Sequence, residues 1–290
     1  MKKSVLSLQS LTTLAIRHLT DTIDFTMNQT QHLQKVLLVI IKDIDEVCRR
    51  HNITYYLFGG SALGARRHKG FIPWDDDLDI ALLPEDYERF LTIAKKDLDP
   101  KRYYIQEGRI DWPEDFSKIK LIGTHIREYG EYYVDSNSDG IFLDVFRLDY
   151  APVSKSKRFL QYIFGKLILI DNLKKKGYSA NSVAKKILLG LSSIMDGRLI
   201  KNWRYNQYYK YNAHPSNWLS RVLGETRFKS AFLPREVFGI PVYVPFEDIM
   251  LPVPEKLDEY LSITYGDYMK LPPEDKRVGL HITEIDFGNY

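Results

Sequence analysis

The strongest constraint on the fold lies between Tyr56 and Ile80. There a β-prone stretch runs into Gly59-Gly60-Ser61, and sixteen residues after the second glycine an acidic cluster begins, Asp76-Asp77-Leu78-Asp79-Ile80. A strand that meets two glycines and then a helix leaves backbone N–H groups pointing outward at the helix N-terminus. The missing side chains let an anion come close. Ser61 is suited to cap that helix or to bond a phosphate oxygen. On the next strand, expected over 76–82, side chains alternate, so Asp77 and Asp79 share one face while Leu78 and Ile80 point into the core. Two like charges on one face repel unless a cation sits between them. Carboxylate oxygens suit Mg²⁺, with Mn²⁺ the alternative, and such an ion is completed by waters and substrate phosphates. Gly-Gly also occurs in hairpins, and Asp-x-Asp in solvated turns. Joined on neighbouring strands, the two predict a phosphate cradle beside a metal cradle.

A third carboxylate follows from the same logic. Asp144 interrupts the apolar run Gly-Ile-Phe-Leu-Asp-Val-Phe-Arg-Leu, an expected strand over 141–148. A charge inside such a strand is costly unless it is paired or metal-bound. Asp144 is therefore expected to complete the metal site or to accept a proton from an attacking hydroxyl. The structural alternative is an edge-strand ion pair with Arg147 or a lysine. Asp149, at odd spacing, falls on the other face.

The surrounding pattern predicts an α+β chain. Leu33, Val36, Leu37, Ile40, Ile44 and Val47 recur at helical spacing over 29–51, and Asn52 is a C-cap candidate. Residues 1–28 read as a frayed arm or a loosely docked helix. A helix is expected over 62–68, and another from Pro84 through Tyr87, Phe90, Leu91 and Ala94. Strands are expected over 117–122 and 125–129. Beyond Pro152 the chain reads as basic helices to Tyr211 with a break at 174–177. From Phe238 onward frequent prolines suit short strands and turns, followed by a helix over 255–263. The expected organisation is a catalytic core of mixed sheet and flanking helices over 29–150, a basic helical insert over 151–225, and a C-terminal segment over 226–290 packing on the core. A chain of 290 residues builds such a core without a covalent staple. Cys48, the sole cysteine, cannot pair within the chain and is expected to be a buried small residue.

The net charge of +3 is unevenly spread, because residues 155–210 carry thirteen Lys/Arg against Asp171 and Asp196, which makes that stretch +11 and the rest −8. The basic stretch is either a solvated helical face or a contact for anionic lipid or a polyanionic acceptor. An acidic body argues against nucleic acid as a partner. The N-terminus lacks a compact apolar segment, and the most apolar run, 159–170, is broken by Lys166. Neither an export signal nor a membrane span is expected. A cytoplasmic setting follows, with peripheral contact at the inner membrane face through 155–210.

The run 56–80, Tyr-Leu-Phe-Gly-Gly-Ser-Ala-Leu-Gly-Ala-Arg-Arg-His-Lys-Gly-Phe-Ile-Pro-Trp-Asp-Asp-Asp-Leu-Asp-Ile, resembles the LicD family of phosphorylcholine transferases. Ser117-Lys-Ile-Lys120 with Thr124, Leu143-Asp-Val-Phe146 and the tail 265–277 extend the resemblance. It covers about 30–150 and 240–290 and leaves the basic stretch unmatched. Phe58 before the glycines and Arg66 beside Arg67 depart from the commonest pattern. The resemblance implies a nucleotidyltransferase-like fold, with Asp77 and Asp79 as the metal pair and Asp144 as the third carboxylate. Fukutin-related sugar-phosphate transferases share the pattern. The implied donor is CDP-linked, such as CDP-choline, and the implied acceptor is a sugar hydroxyl of a glycan or teichoic acid precursor, with release of CMP. Arg67, His68 and Lys69, and Lys118 with Lys120 on one strand face, are candidates to pair with phosphate oxygens. Trp74 is expected to pack. Tyrosines at 205–211, or Tyr265 and Tyr268, are candidates for an aromatic cage around a quaternary ammonium. The alternatives are a nucleotidyltransferase attacking the inner phosphate and a non-catalytic nucleotide- or glycan-binding module.

Overall fold

A computed structural model describes residues 8–108, 114–128, 139–175, 197–224, 226–279 and 282–290, with side chains from residue 28 onward. The first helix, α1 (Leu8–Arg50), begins well before the apolar stripe. No glycine or proline precedes Gly59, so nothing in the backbone halts the helix between the arm and the stripe. Its end follows the expectation. Asn52 takes φ 51°, Ile53 N–H donates to Cys48 C=O at 2.9 Å and Asn52 N–H to Arg49 C=O at 3.4 Å, the paired bonds of a left-handed cap.

Then follow β1 (Tyr56–Leu57), α2 (Gly59–Arg67), β2 (Asp79–Leu82), α3 (Pro84–Asp97), β3 (Tyr103–Gln106), β4 (Ser117–Leu121), β5 (His125–Glu128) and β6 (Phe142–Arg147). Five of these strands form one sheet in the order β1-β2-β6-β4-β3. The β2–β6 pair is parallel, and the other pairs in that sheet are antiparallel. Strand β3 was not marked by the sequence pattern, since its Tyr-Tyr-Ile-Gln shows no clear alternation. Leu78, Ile80, Ile119, Leu143 and Val145 are buried and join Leu37, Ile40 and Ile44 of α1 and Phe90 of α3 in one core. Burying each such side chain is worth about 1.5–3 kcal/mol. Cys48 belongs to this core, as expected.

The chain continues through β7 (Asp149–Ala151), α4 (Lys155–Lys175), α5 (Arg198–Tyr209), β8 (Trp218–Ser220) and β9 (Phe232–Pro234). Strands β7-β8-β9 make a second small sheet. A separate apolar cluster, including Phe164, Ile168, Tyr208 and Val222, joins it to α4 and α5. Arg204 of α5 and Asp171 of α4 form a fully buried ion pair there. Helix α4 includes Lys174 and Lys175, where a break was expected, and 176–177 lie outside the described residues. The proline-rich segment folds as the hairpin β10 (Val242–Phe246) and β11 (Ile249–Val253), then α6 (Leu257–Tyr265) and β12 (Ile282–Asp286), which pairs with β5. Among the described residues no helix is long and apolar enough to cross a membrane.

Helix α2 packs so tightly that a Cβ on Gly64 would lie 2.4 Å from the Gly70 carbonyl oxygen. Gly64→Ala is therefore expected to destabilise the protein by about 1–3 kcal/mol, read as a lower urea midpoint with an unchanged m-value.

Candidate active site

Register builds the site. In the parallel β2–β6 pair, Asp79 is the partner of Asp144, and in the antiparallel β4–β6 pair Asp144 is the partner of Lys118. Directly opposed residues share a sheet face, so Asp79, Asp144 and Lys118 stand in one row. Asp144 thus sits on a central strand, which removes the edge-strand alternative. Arg147 is engaged elsewhere, with Asp149 at 2.8 Å and Glu88 at 3.0 Å. Strand β2 begins at Asp79, so Asp77 lies on the lead-in rather than on the strand as expected. Leu78 there accepts the Asp144 N–H at 3.0 Å, which keeps the lead-in close to β6.

Four carboxylates gather at this point. Burial pushes the Asp79 carboxyl well above its ordinary range, and Asp77, Asp144 and Asp75 push it further in that order, opposed by Lys118. The two glycines of the turn lie directly beneath. Gly59 has φ +53°, and a Cβ on it would lie 2.9 Å from Asp79 Oδ2, while one on Gly60 would lie 2.8 Å from Asp75 Oδ2. The space the missing side chains leave is thus held by carboxylates, where an open phosphate cradle was expected. Asp75, the residue just before the acidic cluster 76–80, also belongs to the site. Its position is held from α1, where Gln34 donates to the carbonyls of Ile72 and Asp75 at 3.1 and 2.9 Å.

Ser61 corrects a second expectation. It is 2% exposed, and its Oγ accepts the Asp79 N–H at 2.8 Å. No side chain caps α2. Ser61 ties the helix to the strand and so positions Asp79. The Gly59 N–H instead donates to Tyr260 Oη of α6 at 3.0 Å. Burial pushes the Tyr260 hydroxyl up to about 12 and holds Tyr265 above its ordinary range, with Tyr260 and Asp79 adding to it.

The basic candidates divide. Arg67 reaches the site's rim, donating to the Tyr268 carbonyl at 3.0 Å and feeling Asp75, Arg277 and Tyr265. His68 lies beside it, edge-on to Trp74 at 6.2 Å, and burial and then Arg67 lower its pKa, so it is neutral near pH 7. Lys69 is exposed at φ 60° and fixes the turn through its carbonyl, which accepts the Glu247 N–H at 2.8 Å. Its recorded contacts do not bring it to the carboxylates. Lys118 and Lys120 are 1% and 8% exposed. Lys118 Nζ lies 3.9 Å from Asp144 Oδ1 and 3.7 Å from Glu114 Oε2, and 3.6 Å from the centre of the Phe142 ring. It balances the acids within the sheet, where a phosphate contact was expected. Trp74 packs on the core, as expected.

A cavity of about 200 Å³ opens beside Gly59 and Asp79, bordered by Phe58, Phe116, Phe146 and, from the segment after β8, Arg221. Sequence reading missed Arg221, which carries no local motif. Its side chain is anchored by the Ser230 carbonyl at 2.8 Å and Thr264 Oγ1 at 3.0 Å, and its charge acts on Tyr260 and Tyr265. The candidate cage tyrosines scatter: Tyr208 borders this cavity, Tyr265 lies beside Gly59, and the hydroxyls of three of them are bonded. Tyr205 donates to Asp115 at 3.1 Å, Tyr208 bonds Ser220 at 3.1 Å, and Tyr268 donates to Asp258 at 2.7 Å.

Among the described residues no three ligating side chains already form a metal cage. The donor chemistry still fits a hard divalent ion that keeps waters and shares substrate phosphates, because like-charged oxygens crowd Asp79 and disfavour its ionised form.

Comparison with known proteins agrees with this geometry. Residues 52–155 match the family described as LicD/FKTN/FKRP, nucleotidyltransferase domain. The sequence is 31% identical over 266 residues, 87% of this chain and 95% of the relative, to the lipopolysaccharide cholinephosphotransferase LicD of Haemophilus influenzae. Shorter matches join it to uncharacterized proteins of Rickettsia typhi (46% over 57 residues, 20% of this chain and 18% of the relative) and Rickettsia prowazekii (48% over 50 residues, 17% and 19%).

The crowding has a measurable sign. With its folded pKa raised above the ordinary 3.8, Asp79 brings no penalty below that pH and a growing one as pH rises toward the folded value. In chelator, Asp79→Asn is expected to raise Tm at pH 7.5, by roughly 2–4 °C per kcal/mol relieved, with little gain at pH 4. Excess MgCl₂ should narrow the gap by stabilising the wild type. Calorimetry at both pH values checks this.

Proposed function

The chain belongs to the LicD family and is a LicD-type transferase, and on that footing we propose that it moves phosphocholine, or a similar phospho-alcohol, from a CDP-linked donor to a sugar hydroxyl of a cell-surface polysaccharide precursor, releasing CMP. The observation that carries the reading is the in-register Asp79–Asp144 pair beside the N-terminus of α2. This parallel pair of acid-bearing strands supports a nucleotidyltransferase-like core. The Haemophilus relative acts, by its name, on lipopolysaccharide with choline phosphate. That supports choline as the alcohol and favours a lipopolysaccharide-type glycan over a teichoic acid precursor.

Asp77 and Asp79 would hold the divalent ion, and Asp144, the strand partner of Asp79, would complete its ligands or serve as the base. A bound Mg²⁺ supplies charge neutralisation across the diphosphate and on the departing CMP. Arg67 and Arg221, each anchored through part of its guanidinium, offer remaining N–H donors to phosphate oxygens. The acceptor oxygen forms a bond to the distal phosphorus as the bond from that phosphorus to the CMP oxygen breaks. Asp144 orients the acceptor hydroxyl and takes its proton. Most of the catalysis is positioning and electrostatics.

The insert supplies a second contact. Phe159, Leu160 and Ile163 of α4 and Leu199 and Trp203 of α5 are exposed among Lys155, Lys157 and Lys201. Apolar and aromatic side chains mixed with lysines support docking at an anionic membrane face, where a lipid-linked acceptor would be met.

The test is CMP release from CDP-choline with MgCl₂ and a lipopolysaccharide acceptor, followed by chromatography. Chelation should abolish it, and Asp77→Asn and Asp79→Asn should each lower kcat by on the order of 10²–10³ while remaining folded. Full activity in either variant sinks the assignment. Release of phosphocholine in place of CMP, with the nucleotide left on the acceptor, would turn it into a nucleotidyltransferase.

A further inference from the structure

The cavity beside Asp79 carries a chemistry that phosphate and metal do not use. At about 200 Å³ it is smaller than the roughly 300–1,000 Å³ pockets that take drug-sized ligands, so it suits a headgroup rather than a nucleotide. Three phenylalanines line one wall. Phe146 follows Asp144 by two residues on β6, hence on the same face. Its ring centre lies 4.6 Å from that of Phe116 and 5.6 Å from that of Phe58. Phe58 is also the residue at which this sequence departs from the commonest pattern before the glycines.

The charges around the cavity are sorted. Asp115 borders it and is held by the Tyr205 hydroxyl and the Asn172 amide. Arg147 also borders it, but its charge is met by Asp149 and Glu88. Arg221 acts on Tyr260 and Tyr265, which flank Gly59 and Asp79, so its charge belongs to the phosphate end. Tyr208, Ser220 and Thr226 complete the border, and the wall of three phenylalanines has a carboxylate, Asp115, near it.

We infer that this cavity seats the quaternary ammonium of the donor's alcohol, with Phe58, Phe116 and Phe146 as its aromatic wall and Asp115 as its counter-charge, an assignment that rests on the phosphocholine-transfer reading. A trimethylammonium has no N–H to satisfy, so a phenylalanine wall desolvates it without leaving a donor unmet, and the ring faces attract its charge. A primary ammonium, or the hydroxyls of glycerol and ribitol, would lose hydrogen bonds to water against the same wall. The phenylalanine wall thereby favours the head that needs no hydrogen bond on that side.

Two measurements on the full-length protein test this. In saturation-transfer NMR with phosphocholine and MgCl₂, the choline methyl protons should receive transfer from aromatic protons of the wild type, reduced several-fold in Phe146→Leu. Absence of that transfer in the wild type overturns the assignment. In kinetics, CDP-choline is compared with its neutral isostere, CDP-3,3-dimethylbutanol. The kcat/KM ratio of the two donors should fall roughly 3–10-fold in Phe58→Leu and Phe146→Leu and be retained in Phe146→Tyr, which keeps an aromatic face. An unmoved ratio in both leucine variants, with cooperative melting intact, overturns it. If the wild type releases CMP from neither donor, the phosphocholine-transfer reading fails, and the NMR result alone then decides the cavity.

Discussion

The rest of the site depends on the register between β2 and β6. Parallel pairing puts Asp79 beside Asp144, and antiparallel pairing puts Lys118 beside Asp144. The carboxylates repel, so something else must hold them together. That is the opposite face of the same strands, where Leu78, Ile80, Leu143 and Val145 are buried against α1 and α3. A slip by one residue would expose these apolar side chains and drive the acids into the core. Burial on one face therefore enforces crowding on the other, which the proposed cation would relieve.

Second contacts hold this arrangement from far along the chain. Ser61 accepts the Asp79 amide, and Tyr260 accepts the Gly59 amide from 201 residues away. Gln34 fixes the Asp75 loop from α1. Each spends a polar group on orientation, so Gly59, Asp75 and Asp79 cannot move apart independently. Arg221 is a further long-range element, coming from the connection between β8 and β9 of the small sheet and bringing a positive charge to a strongly acidic corner.

The cavity joins two kinds of chemistry across a short distance. Asp79, Asp115 and Arg221 bring charge to its border, and Phe58, Phe116 and Phe146 bring an apolar surface. A phospho-alcohol has the same division within one molecule. Helices α4 and α5 add a third surface, on which Phe159, Leu199 and Trp203 are exposed.

Much of this was legible in the sequence. Alternation put Leu78 and Ile80 in the core, the helical stripe of α1 ended at Asn52, and the apolar run around Asp144 marked it as a charge with a purpose, because these signals arise from neighbours within a few residues. Other features were not legible. The glycines admit carboxylates from Asp75 and Asp79, Ser61 bonds a strand amide, Lys118 is buried against Asp144 and Glu114, and Phe58, Phe116 and Phe146 meet at one cavity that Tyr208 also borders. Each is set by strand register or by a contact between distant segments, which local spacing does not encode. The sequence by itself determined which residue types carry the chemistry and which faces must be buried. Only the tertiary structure decided which of those residues meet, because the pairing of β2 with β6 and the return of α6 over the glycine turn are outcomes of burying one common core.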